Sequence, residues 1–123
     1  MEIYFKNTHQ DVPGQLLARA EKRIEKLGKL IDEGRFEAQA FMEITKATGS
    51  QHSDAAWRAT INIDVRGDRF HAASVQNTPE KAADRAIDEM RSELRAHHAR
   101  ERRIRRKADG FWKSLLHNDF KAP

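Results

Sequence analysis

The sequence predicts an α+β fold, a two-layer β-α-β-β-β-α sandwich in which a four-stranded sheet carries two helices on one face and ends in a long basic C-terminal helix. Three observations carry that expectation. Apolar residues alternate with polar ones over residues 2–6, 36–46 and 57–75, but recur every three to four residues over 16–31 and 83–94. Gly67-Asp68 splits the longest alternating stretch into a hairpin. Residues 91–107 hold eight of the chain's 23 Lys and Arg but only two of its 19 Asp and Glu, so that stretch is net +6 and the remainder −2.

Residues 2–6 read as a short strand, with Ile3 and Phe5 on one face and Glu2, Tyr4 and Lys6 on the other. Asp11-Val-Pro-Gly then opens a helix, with Asp11 the expected N-cap and Pro13 in the first turn, where a missing N–H is tolerated. Leu16, Ala20, Ile24, Leu27 and Ile31 recur at steps of four, four, three and four, one apolar face of a helix reaching about Leu30. Arg19, Lys22, Lys26 and Lys29 form a second stripe, roughly 150° from the first at 100° per residue. Glu21 and Glu25 lie beside it, so taken alone it reads as a solvated outer face.

Residues 36–46 change period. Phe36, Ala38, Ala40, Met42 and Ile44 alternate with Glu37, Gln39, Phe41, Glu43 and Thr45, the pattern of a half-buried strand. Residues 47–54 are polar and read as a loop. Trp57, Ala59, Ile61, Ile63 and Val65 alternate with Arg58, Thr60, Asn62, Asp64 and Arg66. A two-residue turn at Gly67-Asp68 pairs Arg66 with Arg69 and Val65 with Phe70, and puts Phe70 and Ala72 on the core face and His71 and Ala73 on the other. Two like charges facing each other cost a little, less if an anion visits them. Both helices cover one face, which leaves Tyr4, Gln39, Phe41, Thr60, Asn62 and His71 on an open one.

Thr78-Pro79-Glu80 combines an N-cap hydroxyl, Pro at the first helical position and an acid in the first turn. The helical pattern continues to about Lys107, roughly 45 Å. Ala83, Ile87, Met90 and Leu94 form its apolar seam, and His97, Glu101 and Ile104 take the positions that would prolong it. Arg91, Arg95, His98, Arg102 and Arg106 run in a stripe beside the seam. The stretch from Arg100 to Lys107 has no core beneath it and is expected to order only against RNA. Gly110 is expected to end the helix, giving a domain of residues 1–107 and a short tail, 108–123, that holds the apolar patch Phe111-Trp112-Lys-Ser-Leu115-Leu116. No internal repeat appears.

Composition excludes several classes. A chain of 123 residues is one domain with a modest core. With no cysteine it has no disulfides or thiolate metal sites, which fits a reducing, cytoplasmic setting. No apolar run approaches the roughly 20 residues of a membrane span, and Met-Glu-Ile-Tyr-Phe-Lys is not a signal peptide. There is no Gly-rich phosphate loop, nucleophile elbow or His-Glu-x-x-His, so neither an enzymatic activity, a cofactor nor a small-molecule substrate is expected. His52, Ser53 and Asp54 are neighbours in a loop, whereas a triad is assembled from separated residues. His97 and His98 point about 100° apart on a helix with no second ligand pair at metal spacing, so no metal site is expected. His71, on a strand, reads as a structural residue.

The basic stretch points to a polyanion. Arg100, Arg102, Arg103, Arg105, Arg106 and Lys107 have only Glu101 among them, and such unrelieved like charge disfavours an isolated helix. A phosphate backbone removes that repulsion and releases counterions, and guanidinium suits phosphate. Membrane binding fits less well, since the arm lacks large apolar residues. A general module gripping double-stranded RNA, or an adaptor using residues 111–116 with the arm on an acidic partner, is an alternative class.

The β-α-β-β-β-α order, Ser53-Asp54-Ala55 entering the third strand, Phe70-His71-Ala72 on the fourth and Ala86-Ile87-Asp88 early in the last helix together resemble the ribosome hibernation-promoting factor family, also called protein Y-like or sigma-54 modulation proteins. The resemblance covers about residues 1–107. It implies a translation inhibitor that binds the small ribosomal subunit where mRNA and the A- and P-site tRNAs sit, and silences ribosomes in stationary phase or stress. By that analogy Arg19, Lys22, Lys26, Lys29, Arg91, Arg95, His98, Arg102 and Arg106 face the small-subunit rRNA, and the protein is monomeric when free. The chain departs from the family in carrying Asp84 where members have an aromatic. It also lacks the second domain of long-form members, so it looks like a short form.

Overall fold

A computed structural model describes residues 1–31, 37–47 and 56–121, with side chains as far as residue 110 except at 102, 105 and 109. The elements follow the expected order: β1 (Glu2–Phe5), α1 (Gly14–Leu27) tightening into a 3-10 turn (Gly28–Leu30), β2 (Ala38–Lys46), β3 (Trp57–Val65), β4 (Asp68–Gln76) and α2 (Pro79–Lys121). The sheet order is β1-β2-β3-β4. β1 and β2 pair in parallel because a helix returns the chain between them, whereas β2-β3-β4 is an antiparallel meander.

The core lies between the sheet and the helices. Leu16, Ala20, Ile24 and Leu27 of α1 and Ala82, Ala83, Ala86, Ile87, Met90 and Leu94 of α2 are buried with Ala40, Met42, Ile44, Ala59, Ile61 and Ile63. The sheet register sets small against large, Ala40 beside Ile63 and Ile44 beside Ala59, which suits close packing of the layer. Ile61 sits at the middle of this packing with no exposed surface. Ile61→Ala is expected to lower unfolding free energy by about 3 kcal/mol, read as a reduced denaturation midpoint at unchanged slope. A loss below about 1 kcal/mol would mean that the site collapses around the gap or is not central.

Three local expectations need correction. The hairpin turn is Arg66-Gly67, one residue earlier than the sequence suggested, with φ of 54° and 85°. Both central residues are left-handed, the type I′ arrangement that matches strand twist. Val65 therefore pairs with Asp68, Asp64 with Arg69 and Ile63 with Phe70. The like-charge pair of Arg66 and Arg69 does not form. Arg69 Nε instead donates to Asp64 Oδ1 at 2.8 Å, and this bond together with the carboxylate charge raises the guanidinium pKa further. Because the pairing shifts by two positions, Phe70 and Ala72 keep the core face and His71 the open one.

Asp11 is not the cap of α1. Pro13 occupies the N-cap position without a side-chain bond, and its carbonyl receives the Leu16 amide at 3.1 Å. Asp11 lies two residues too early, and its carboxylate approaches Lys46 Nζ at 3.6 Å. The cap of α2 is as expected: Thr78 Oγ1 accepts the Lys81 amide at 3.1 Å.

α2 does not end at Gly110. It runs for 43 residues, to Lys121, about 65 Å. A helix-ending glycine adopts a left-handed conformation, and Gly110 is not among the positive-φ glycines. With no proline after it until the last residue, one glycine costs about 1 kcal/mol and does not stop the helix. The segment from Arg100 to Lys107 is accordingly helical in the chain by itself, not only against RNA. The buried seam extends one step past Leu94, where the His97 ring meets Phe70 edge-on at 5.0 Å. Beyond that, every described side chain from 99 to 110 is exposed, with Ile104 at 66%. Phe36 and residues 48–55, including His52, Ser53 and Asp54, fall outside the described residues.

Candidate nucleic-acid interface

The two helices run in the same direction, since each follows a strand of the same sense and packs on the same sheet face. Their side chains confirm the alignment: Arg19 reaches Asp84, and one turn later Arg23 reaches Asp84 and Asp88. Further along, the 3-10 turn after α1 packs against α2. The end of the first basic stripe is thereby brought beside the start of the second.

Lys22, Lys26 and Lys29 are exposed, opposite the buried line of Leu16, Ala20, Ile24 and Leu27. Arg91 and His98 are half-buried at the edge of the packed seam, and Arg95 and Arg106 are exposed. The Arg102 side chain lies outside the described residues. Among the described residues, Lys22, Lys26, Lys29, Arg91, Arg95 and Arg106 make no ion pair. They present charge that nothing described neutralises.

Arg19 differs from the other members of its stripe. Its Nη2 lies 3.5 Å from Asp84 Oδ2. Arg23, which the sequence reading passed over, is held more firmly: Nη1 donates to Asp84 Oδ1 at 3.0 Å and Nη2 to Asp88 Oδ1 at 2.5 Å. A signal was present, because Arg19/Arg23 and Asp84/Asp88 are opposite-charge sets at i,i+4 spacing on two helices that must pack together. Asp84, at the position where the resemblance leads one to expect an aromatic, is thus an ion-pair partner between helices.

Charge along α2 is polarised. Residues 79–90 carry four acids and two bases, residues 91–107 two acids and eight bases. At 0.15 M salt such a field reaches about 8 Å from the surface, so the cationic end acts on a partner as a patch separate from the acidic end.

The open sheet face has a different character. Tyr4 and Phe41 stack at 5.4 Å and 16°, with Lys6 Nζ 4.4 Å above the Phe41 ring. Tyr4 donates its hydroxyl to Glu2 at 2.7 Å, which together with the carboxylate charge raises the phenol pKa. Asn7 donates to Glu43 at 3.1 Å, and Asn62 and His71 join at 2.6 Å. Glu2, Glu43, Asp64 and Arg69 on this face have side-chain partners close by, so the two layers contrast: a sheet of mixed charge and a cationic helical end. Among the described residues no group of three or more His, Cys, Asp or Glu could hold a metal ion, and no helix is long and apolar enough to cross a membrane.

Residues 1–102 match the family model described as sigma 54 modulation protein / S30EA ribosomal protein. Among solved structures the fold is similar to the Protein Y N-terminal domain of Thermus thermophilus, with 19% identity over 78% of this chain and 94% of that one and a TM-score of 0.59. It is similar also to a ribosomal subunit interface protein from Coxiella burnetii, with 17% identity over 80% of this chain and 99% of that one and a TM-score of 0.59. No curated protein sequence matches.

Proposed function

This chain belongs to the sigma 54 modulation protein / S30EA ribosomal protein family, and from that premise we propose that it is a non-enzymatic translation inhibitor that binds small-subunit rRNA through the cationic end of its helical layer. Its setting is the cytoplasm, its target the mRNA and tRNA channel of the small subunit, and its occasion stationary phase or stress. The observation that carries this reading is the convergence of Lys22, Lys26 and Lys29 with Arg91, Arg95 and His98 on two aligned helices, continued by the exposed arm to Arg106. Exposed Lys and Arg on a rigid two-helix platform suit the phosphates of a folded RNA, recognised by shape rather than by base sequence.

Sedimentation of lysate through a sucrose gradient tests the proposal. The protein is expected to travel with small subunits or whole ribosomes at low salt and to leave them at high salt, as contacts made largely to phosphate must. Absence from ribosomal fractions, together with tight binding to naked RNA duplex, would favour the general RNA-binding module instead.

A further inference from the structure

At the N-terminal end of the cationic surface, two of its arginines are paired with acids across the two helices. Arg23 is 22% exposed and holds Asp84 and Asp88 at once, while Arg19 leans on the far oxygen of Asp84. The two carboxylates remain about half exposed, at 45% and 52%. The four charges sum to zero and form a neutral paired set directly before the patch of Lys26, Lys29, Arg91 and Arg95, with Lys22 and Lys81 exposed beside it.

Arg19 and Arg23 belong to the same helix as the free lysines. Left unpaired, they would offer phosphate two further guanidinium groups and lengthen the cationic track toward the helix N-terminus. Carboxylates fixed on the neighbouring helix occupy them intramolecularly, and any phosphate seeking them must also approach two negative charges. An ordinary duplex presents phosphates along its whole length and meets that repulsion. A folded RNA surface whose phosphates cluster at the cationic end does not. Discrimination gained by a repulsive element against the wrong partner is independent of discrimination gained by contacts to the right one.

We infer that Asp84 and Asp88 are specificity-determining residues that withhold Arg19 and Arg23 from RNA and so reject duplexes that would run the full length of the helical layer. The inference rests on the proposed ribosomal function and removes Arg19 from its set of rRNA contacts.

The test compares the wild type, Asp84→Asn/Asp88→Asn and the charge-balanced quadruple Arg19→Gln/Arg23→Gln/Asp84→Asn/Asp88→Asn. Each is titrated across a salt series against purified small subunits and against a ribosome-unrelated RNA duplex, with thermal melts to establish folding. Releasing both arginines is expected to steepen the duplex salt dependence by about one to two units in log K against log salt, and to raise duplex affinity about tenfold at low salt. Affinity for the subunit should rise less, so the subunit-to-duplex ratio falls. The quadruple variant should retain the wild-type duplex slope, because the arginines it lacks were never phosphate contacts. An unchanged duplex slope in the acid-to-amide variant, or a slope reduced by one to two units in the quadruple, would overturn the inference. If the acid-to-amide variant does not fold, the quadruple alone decides. Wild-type protein that shows no preference for subunits over duplex would defeat the functional reading itself, a result distinct from a change between variants.

Discussion

Reversing Arg91, Arg95 and Arg102 to Glu together is expected to abolish inhibition of in-vitro translation while leaving the melting temperature within a few degrees of wild type. Arg95 is exposed and Arg91 lies at the rim of the seam, so neither anchors the core; Arg102 shares their helical stripe by spacing. On the proposed interface each lost arginine forfeits a phosphate contact, and each new glutamate repels the phosphate that remains. Three contacts alone account for about 2.7 units of salt slope, and with repulsion added the affinity loss should be on the order of a hundredfold to a thousandfold at moderate salt. Dose–response curves of translation against added protein, alongside circular-dichroism melts, measure both quantities. Inhibition that survives the triple change in a folded protein would remove this stripe from the contact surface.

Truncation after His98 separates the arm from the body. Every described side chain from 99 to 110 is exposed, and the contact of His97 with Phe70 lies within the retained part. Among the described residues the one ion pair lost is His97–Glu101 at 3.2 Å, on the surface and worth well under 1 kcal/mol. Thermal stability should therefore change little. Binding should change a great deal, because Arg100, Arg102, Arg103, Arg105, Arg106 and Lys107 leave together. If half of those six contact phosphate, the salt slope falls by about three and affinity by roughly a hundredfold. Unchanged affinity would reduce the arm to a solvated helix. A melting temperature lowered by about 10 °C or more, several kcal/mol for a domain of this size, would mean that the arm packs on the body.

Much of the fold was legible because burial here follows simple periods. Strand alternation placed Ala40, Met42, Ile44, Ala59, Ile61 and Ile63 on one face, and the helical steps placed Ile24, Ile87, Met90 and Leu94 against it. The Thr78 cap was readable from three consecutive residues. The turn was not: Arg66-Gly67 and Gly67-Asp68 both contain the needed glycine, and only the cross-strand pairing of Asp64 with Arg69 distinguishes them. The end of α2 was misplaced because a glycine stops a helix through its backbone angles, which residue type alone does not set. At the candidate site, the exposed cations could be listed from helical wheels. Which of them are already neutralised could not, since Arg23 meets Asp84 and Asp88 only through the packing of helices some sixty residues apart in the chain.

On the proposed function the helical layer, not the open sheet face, meets small-subunit RNA. The chain has no cysteine, so single cysteines can be placed without background. An iron chelate tethered at Lys26→Cys or Arg95→Cys on the helical layer, and at Thr60→Cys on the sheet, cleaves RNA only within reach of its hydroxyl radicals. With each variant bound to purified small subunits, strong localised rRNA cleavage is expected from positions 26 and 95, and little from position 60. Cleavage concentrated at position 60 and absent from 26 and 95 would place the RNA on the sheet face instead.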